Sequence, residues 1–369
     1  MSQKPVFVNP LDCVAGYKKS DLSDFAREVV CRAVWDTVSW KDKPDHKRLR
    51  AHHESMHFSC MALSPDGSAL ATGSADGTFM FWRLHDFWLA GAFKVRPITA
   101  LAFSPDGTSM FVGCQNGDLV HVDVVRCTRA VISGHIRSAI TVLAYNDSGD
   151  HLAVGTVSNG FYVYRVSGRT ELDLLYRTAR PSRITAIAWR WLSTKVQQCR
   201  TVEGNRSFHW TAGAFQKGPL ELTLGPEAVS AYVRHPKGFT VLGSPSGHVQ
   251  LYHSSASRDA TPGPGPSASR GMEFGRRFGA PVAALACSPD GKSIAAGFND
   301  GNVRVLDAQE LKVLAEYRFA KVKISSLAIA HAGDAHRIVC LYEDGTVCMK
   351  EVRDFCARKS SSLATKFGF

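Results

Sequence analysis

The chain has no run of 18 apolar residues and no N-terminal stretch in which basic, apolar and small-residue segments follow in order. A bilayer-spanning helix needs about 20 such residues, so neither a membrane span nor a secretory signal is expected, and the chain reads as intracellular. Cysteine is present but unorganised: the ten residues, at 13, 31, 60, 114, 127, 199, 287, 340, 348 and 356, show no Cys-x-x-Cys and no paired spacing. Several fall in apolar runs where Cys acts as a small hydrophobe, so they read as free thiols of a reducing compartment with no disulfide-linked partner. There is no Gly-x-Ser-x-Gly elbow and no Gly-x-x-x-x-Gly-Lys loop, which removes the common signs of a strained nucleophile and a phosphate cradle. The acidic residues stand mostly in turns, so no enzyme is expected, and no cofactor.

What is present is a repeated text. In residues 57–84, Phe58, Cys60 and Ala62 alternate with Ser59, Met61 and Leu63. Ser64-Pro65-Asp66-Gly67 then supplies a tight turn, with Pro preset for its first corner and Gly free to take positive φ. A second run over 69–74 ends at Asp76-Gly77, a hairpin signal, and residues 78–84 form an aromatic-rich third strand. Clear copies lie at 98–125 and 282–308, and weaker ones at 140–166, 229–253 and 324–352; residues 184–210 are the most eroded. The second-turn glycines fall at 77, 117, 160, 204, 247, 301 and 345, so the steps are 40, 43, 44, 43, 54 and 44. Seven units of about 40 to 45 residues, four strands each, describe an all-β, seven-bladed β-propeller of antiparallel blades with an N-terminal arm.

These units resemble the WD-repeat family over roughly residues 50 to 353. The resemblance implies that a Gly-His before the first strand, an Asp in the second turn and a Trp ending the third strand bond one another within a blade. Here Gly134-His135 supplies the first element, Asp76, Asp300 and Asp344 the second, and Trp82 the third, with Trp210 one residue out of step. On this reading Asp76, Trp82, His135, Asp300 and Asp344 are structural, and the function implied is that of a protein-binding scaffold.

In chain order, residues 1–50 form the arm, 51–353 the propeller and 354–369 a tail. Phe25, Val29 and Ala33 keep helical spacing behind the capping residues Ser20 to Asp24. Residues 34–40 are expected to close the ring by joining the last blade, which removes an exposed edge; residues 360–369 are the alternative. The basic run at 41–50 reads as a solvated connector or as a contact for an acidic partner. His52, His53 and His57 stand close enough for zinc, against a structural His before the first strand. The Gly/Pro/Ser-rich residues 254–271 are a loop insertion between the third and fourth strands of the fifth unit.

Trp189-Arg190-Trp191 stands where other units have a small residue and Ser-Pro, with Lys195, Arg200 and Arg206 around it. Basic residues interleaved with aromatics dock on proteins or stack on bases; the plain alternative is one Trp between blades and one over a widened loop. Strand order places the Ser-Pro-Asp-Gly turns and the third-to-fourth-strand loops on one rim. Arg190, Trp191, Lys237, Arg258, Arg270, Arg276 and Arg277 are assigned to that rim as partner-binding residues. The partners expected are other protein subunits. A formal net charge of +11 and a pI near 9.2 add RNA as an alternative, or another acidic surface such as tubulin or a phosphoinositide membrane.

Overall fold

The computed structural model describes residues 33–40, 43–51, 57–86, 88–126, 128–132, 136–168, 171–191, 196–224, 227–252, 272–318, 320–332 and 335–353. Its strands form seven antiparallel sheets, six of four strands and one of five. In each of the six, consecutive strands lie side by side, so one sequence unit makes one blade. Blades 1 to 6 span residues 58–94, 98–132, 140–179, 186–223, 231–277 and 282–318. Strands A to D run outward from the centre.

Blade 7 takes strands Ile324–Ala332, Ala335–Tyr342 and Val347–Arg353 from the end of the chain, and its fourth from the beginning. That fourth strand is Lys43–Ala51, with Lys47 opposite Met349 and Leu49 opposite Val347. Ala33–Trp40 pairs outside it as a fifth strand. Closure therefore belongs to the basic run, not to residues 34–40 or to a connector. The reason is that outer strands fill little core: Leu172–Ala179 and Leu220–Thr223 are mostly half-buried or exposed. Alternation of apolar and charged residues, as at Val34, Asp36 and Val38, therefore does not single out the closing strand. Closure is reinforced where Arg337 Nη1 donates to Gly67 O at 2.9 Å and His57 Nε2 meets Glu343 O at 2.7 Å.

Strand B is covered on both faces by neighbouring blades, so it does not alternate. Ala69–Ser74 and Ser293–Phe298 are buried along their whole length, and four or more of the six residues in each are small. Gly73 shows why: a Cβ there would sit 2.5 Å from Ile98 Cγ2 of the next blade. At the second turn, Gly77 takes φ +89°, and a Cβ would stand 2.2 Å from Val95 O. Each of the seven seams between blades holds its own apolar cluster. They are unequal. Between blades 5 and 6 it includes Phe239, Phe278, Phe298, Leu285, Leu306 and Leu311 among many others; between blades 4 and 5 its buried members are Val202, Leu224, Val229, Leu242 and Tyr252.

Candidate partner-binding rim

The first-turn rim is built by hydrogen bonds that consume its own carboxylates. Ser64 Oγ donates to Asp66 Oδ1 at 2.6 Å, the same oxygen accepts from Ser68 N at 3.0 Å, and Ala69 N closes on Ser64 Oγ at 2.9 Å. Ser104–Asp106 and Ser288–Asp290 repeat the arrangement. The hydroxyl and amide bonds from Ser104 and Thr108 hold the Asp106 carboxyl below its ordinary value. A groove of about 650 Å³ opens on this rim between blades 2 and 3, lined by Asp106, His121, Asp123, Tyr145 and Asp147. Its carboxylates are engaged: Asp123 accepts from Arg126, and Asp147 from Arg234. Burial keeps His121 below the ordinary imidazole value. The rim is thus not uniformly basic.

The two tryptophans of blade 4 part ways. Trp189 is buried toward blade 3, its Nε1 donating to Ala144 O at 3.1 Å, while Trp191 is 43% exposed at the end of strand A. Lys237 is exposed in the first turn of blade 5. Arg190 turns inward instead: its Nε donates to Gln198 Oε1 at 2.8 Å, and burial, then the adjacent Arg200, push its guanidinium down to about 10. Arg258 and Arg270 lie outside the described residues, as does the insertion that carries them.

Arg276 and Arg277 are not on this rim. They end the outer strand of blade 5, paired with Val249 and His248 next to the second-turn Gly247, and Phe278 N bonds Gly247 O at 2.8 Å. The third strand of the blade ends at Tyr252, opposite Thr240 beside the first turn, but the six residues of Met272–Arg277 carry the chain back across the blade. Arg276 also packs its guanidinium over Phe278 and donates to Leu311 O at 3.3 Å.

Of the residues read as structural, Asp76, Asp300 and Asp344 each cap their own turn, accepting from the backbone of Thr78, Asn302 and Thr346. Trp82 Nε1 donates to Thr72 Oγ1 at 3.3 Å, and Trp210 Nε1 to Thr201 Oγ1 at 3.2 Å. Trp210 therefore occupies the place of Trp82; the slip of one residue comes from a shorter turn, Gly204-Asn205, between Glu203 and Arg206. His135 lies outside the described residues. So do His52 and His53. Residues 53–57 read His-Glu-Ser-Met-His, so the histidines weighed for zinc also carry between them a glutamate that sequence reasoning missed. His57 itself stands just before the first inner strand, Phe58–Leu63, bonded to Glu343 O. Among the described residues no group of three or more His, Cys, Asp or Glu side chains is placed to hold a metal. Cys60, Cys114 and Cys287 sit in the seams, where burial pushes each thiol up to about 12.

Sequence reasoning also missed the importance of the blade 4–5 seam. Its signal was available in strand B of blade 4, Gln197–Glu203, whose polar text replaces the small residues of other blades. All seven residues are nevertheless buried.

Residues 44–83 match the family described as WD domain, G-beta repeat, and residues 276–342 match the anaphase-promoting complex subunit 4 WD40 domain. A periodic tryptophan protein 2 homolog of Dictyostelium discoideum is 27% identical over 146 residues, covering 38% of this chain and 16% of that protein. Telomerase protein component 1 of Mus musculus is 26% identical over 259 residues, 67% of this chain and 9% of that one. The chain thus spans a small part of the curated relatives it matches. Among solved structures, the Cps50 (Swd1) β-propeller domain of Myceliophteria thermophila superposes with a TM-score of 0.66 at 16% identity, covering 81% of this chain and 98% of that one. The RRP9 WD40 repeats superpose at 0.65 and 16% identity, covering 84% and 98%. U3-55K gives 0.64 at 15%, with 84% and 98% covered.

Proposed function

We propose that this chain, a WD-repeat β-propeller, is a non-catalytic scaffold subunit that holds other proteins of an intracellular multi-subunit assembly on its first-turn rim. Propellers of this family are in general protein-interaction scaffolds, and no helix among the described residues is long and apolar enough to cross a membrane. The observation that carries the choice of surface is that Trp191 and Lys237, at the first-turn ends of neighbouring blades, are both exposed. A large aromatic beside a cation is the composition of an interface anchor for an acidic partner. Arg258 and Arg270, which lie outside the described residues, are assigned to the same contact by their place in the Gly/Pro/Ser-rich insertion of the fifth unit. Arg276 and Arg277 form a separate basic pair near the opposite rim.

The test is affinity purification from the source cells with two variants, Trp191→Ala/Lys237→Glu and Arg276→Glu/Arg277→Glu. The first is expected to lose stoichiometric protein partners and the second to keep them. Full recovery with the first variant overturns the rim assignment, and a pure monomer that turns over a small molecule overturns the scaffold. A second reading, contact with RNA, rests on the net charge of +11 and predicts retardation of RNA in a gel that weakens steeply with salt. Absence of retardation at low salt removes it.

A further inference from the structure

The seam between blades 4 and 5 is assembled from cations whose hydrogen bonds are incomplete. Arg200, on strand B of blade 4, is only 5% exposed. Its Nη1 donates to Thr240 Oγ1 of blade 5 at 3.1 Å, but its Nε and Nη2 have no partner and no solvent contact. Arg234, facing it from strand A of blade 5, donates through Nη1 to Trp189 O and to Asp147 Oδ2, the latter at 3.2 Å, and leaves Nε buried without a partner. The Tyr232 hydroxyl, two residues before it, is likewise buried and unpaired. Arg190 completes the group, bonded by its Nε to Gln198.

Among the described residues, the carboxylate bonded to this group is that of Asp147, which meets Arg234 only and is 46% exposed and screened accordingly. An unpaired buried charge is strongly unfavourable unless something neutralises it. All the orphaned atoms are suited to donate, and they come from Arg200, Arg234 and Tyr232, on strands of two blades. Water accepts from such donors but leaves the excess charge in place. A carboxylate offers two oxygens in one plane; a tetrahedral oxyanion offers acceptors in several directions and matches convergent guanidinium forks.

We infer that the blade 4–5 seam is a binding site for a small tetrahedral oxyanion of the phosphate class, held by Arg200, Arg234, Arg190 and the Tyr232 hydroxyl. The ligand is a free ion that enters as the seam opens: the orphaned nitrogens have no solvent contact in the closed ring, and a phosphate carrying a chain would hold the blades apart. The bound ion stabilises the ring at its seam of least apolar packing. This site is independent of Trp191 and Lys237 and does not require the scaffold reading.

The experiment uses the full chain, dialysed free of phosphate and sulfate, with a denatured sample assayed to confirm removal. Thermal unfolding is followed while inorganic phosphate is titrated against potassium chloride at matched ionic strength. The expected result is a saturable rise of several degrees with phosphate that chloride does not reproduce and that Arg200→Met abolishes. Should Arg200→Met fail to fold, Tyr232→Phe removes one donor and no charge, and is expected to weaken the half-saturating phosphate concentration several-fold. Superimposed phosphate and chloride curves, or a full response in the substituted protein, overturn the site. A response to a phosphoserine peptide with none to inorganic phosphate overturns the free ion in favour of a phosphorylated protein.

Discussion

Blade 4 has two faces, and they handle buried charge in opposite ways. Toward blade 3 it presents Trp189, Cys199, Phe208 and Trp210, and Arg180, a cation entering that seam, meets Glu203 at 2.6 Å. Glu203 also accepts from Ser182 at 3.3 Å, and the Arg180 guanidinium lies 4.0 Å from the Phe208 ring centroid. Toward blade 5 the same strands present Arg200 and His209, register partners across strands B and C, with Arg190 beside them and, among the described residues, no buried carboxylate bonded to them. Side chains alternate across a strand, so Gln197–Glu203 serves both seams at once: Cys199, Thr201 and Glu203 toward one, Gln198, Arg200 and Val202 toward the other. The lesson is that a charge in a propeller seam acts as structure when its partner is built in, and as a ligand site when it is not.

The comparison is broken most severely by removing Arg180. Arg180→Met leaves Glu203, 1% exposed, as an uncompensated buried carboxylate, and the expected loss is about 3–5 kcal/mol in denaturant unfolding. Arg200→Met, the matching change on the other face, is expected to act in the opposite direction in phosphate-free buffer, raising stability by on the order of 1–4 kcal/mol because an unneutralised charge disappears. If both variants lose stability alike, the two faces do not differ as described.

His209 sharpens the contrast through pH. Burial, with Arg200 and then Arg190 facing it, holds its imidazole down at about 2, while Ser207 Oγ lies 3.0 Å from its Nε2. The folded value lies below the unfolded one, so the unfolded chain binds the proton first and stability falls as pH drops below about 6.5. At pH 5.5 this one group costs about 1.4 kcal/mol, which His209→Gln is expected to abolish when stabilities at pH 7.5 and 5.5 are compared. Equal pH slopes in the two proteins would count against a neutral buried imidazole. The smallest effect is reserved for Trp191, at the exposed end of the same blade, where Trp191→Ala is expected to change stability by no more than about 0.5 kcal/mol.

The blades with intact text were fully legible. Ser-Pro-Asp-Gly and Asp-Gly signals located first and second turns in blades 1 and 6, because a turn is decided by the residues within it. Trp189 and Trp191 were legible as a pair but not individually, since which one faces a neighbouring blade depends on strand direction and packing. Arg276 and Arg277 were misassigned because the rim to which a residue belongs depends on how far its strand runs after the loop, a quantity fixed by pairing with His248 and Val249. Arg200 looked like part of a basic surface for a related reason: charge in a sequence carries no sign of burial.

The number of blades, their four-strand plan and the position of most turns followed from the sequence alone, since each repeat is a local unit with its own turn chemistry. Ring closure did not. That Lys43–Ala51 lies against Val347–Arg353 depends on a contact between residues some three hundred positions apart, made by an outer strand whose composition few packing constraints govern. The cation seam was decided at the same level. Arg190 and Arg200 belong to one repeat and Tyr232 and Arg234 to the next, and only the packing of blade 4 on blade 5 brings them together, withdraws them from water and leaves their donors unmatched.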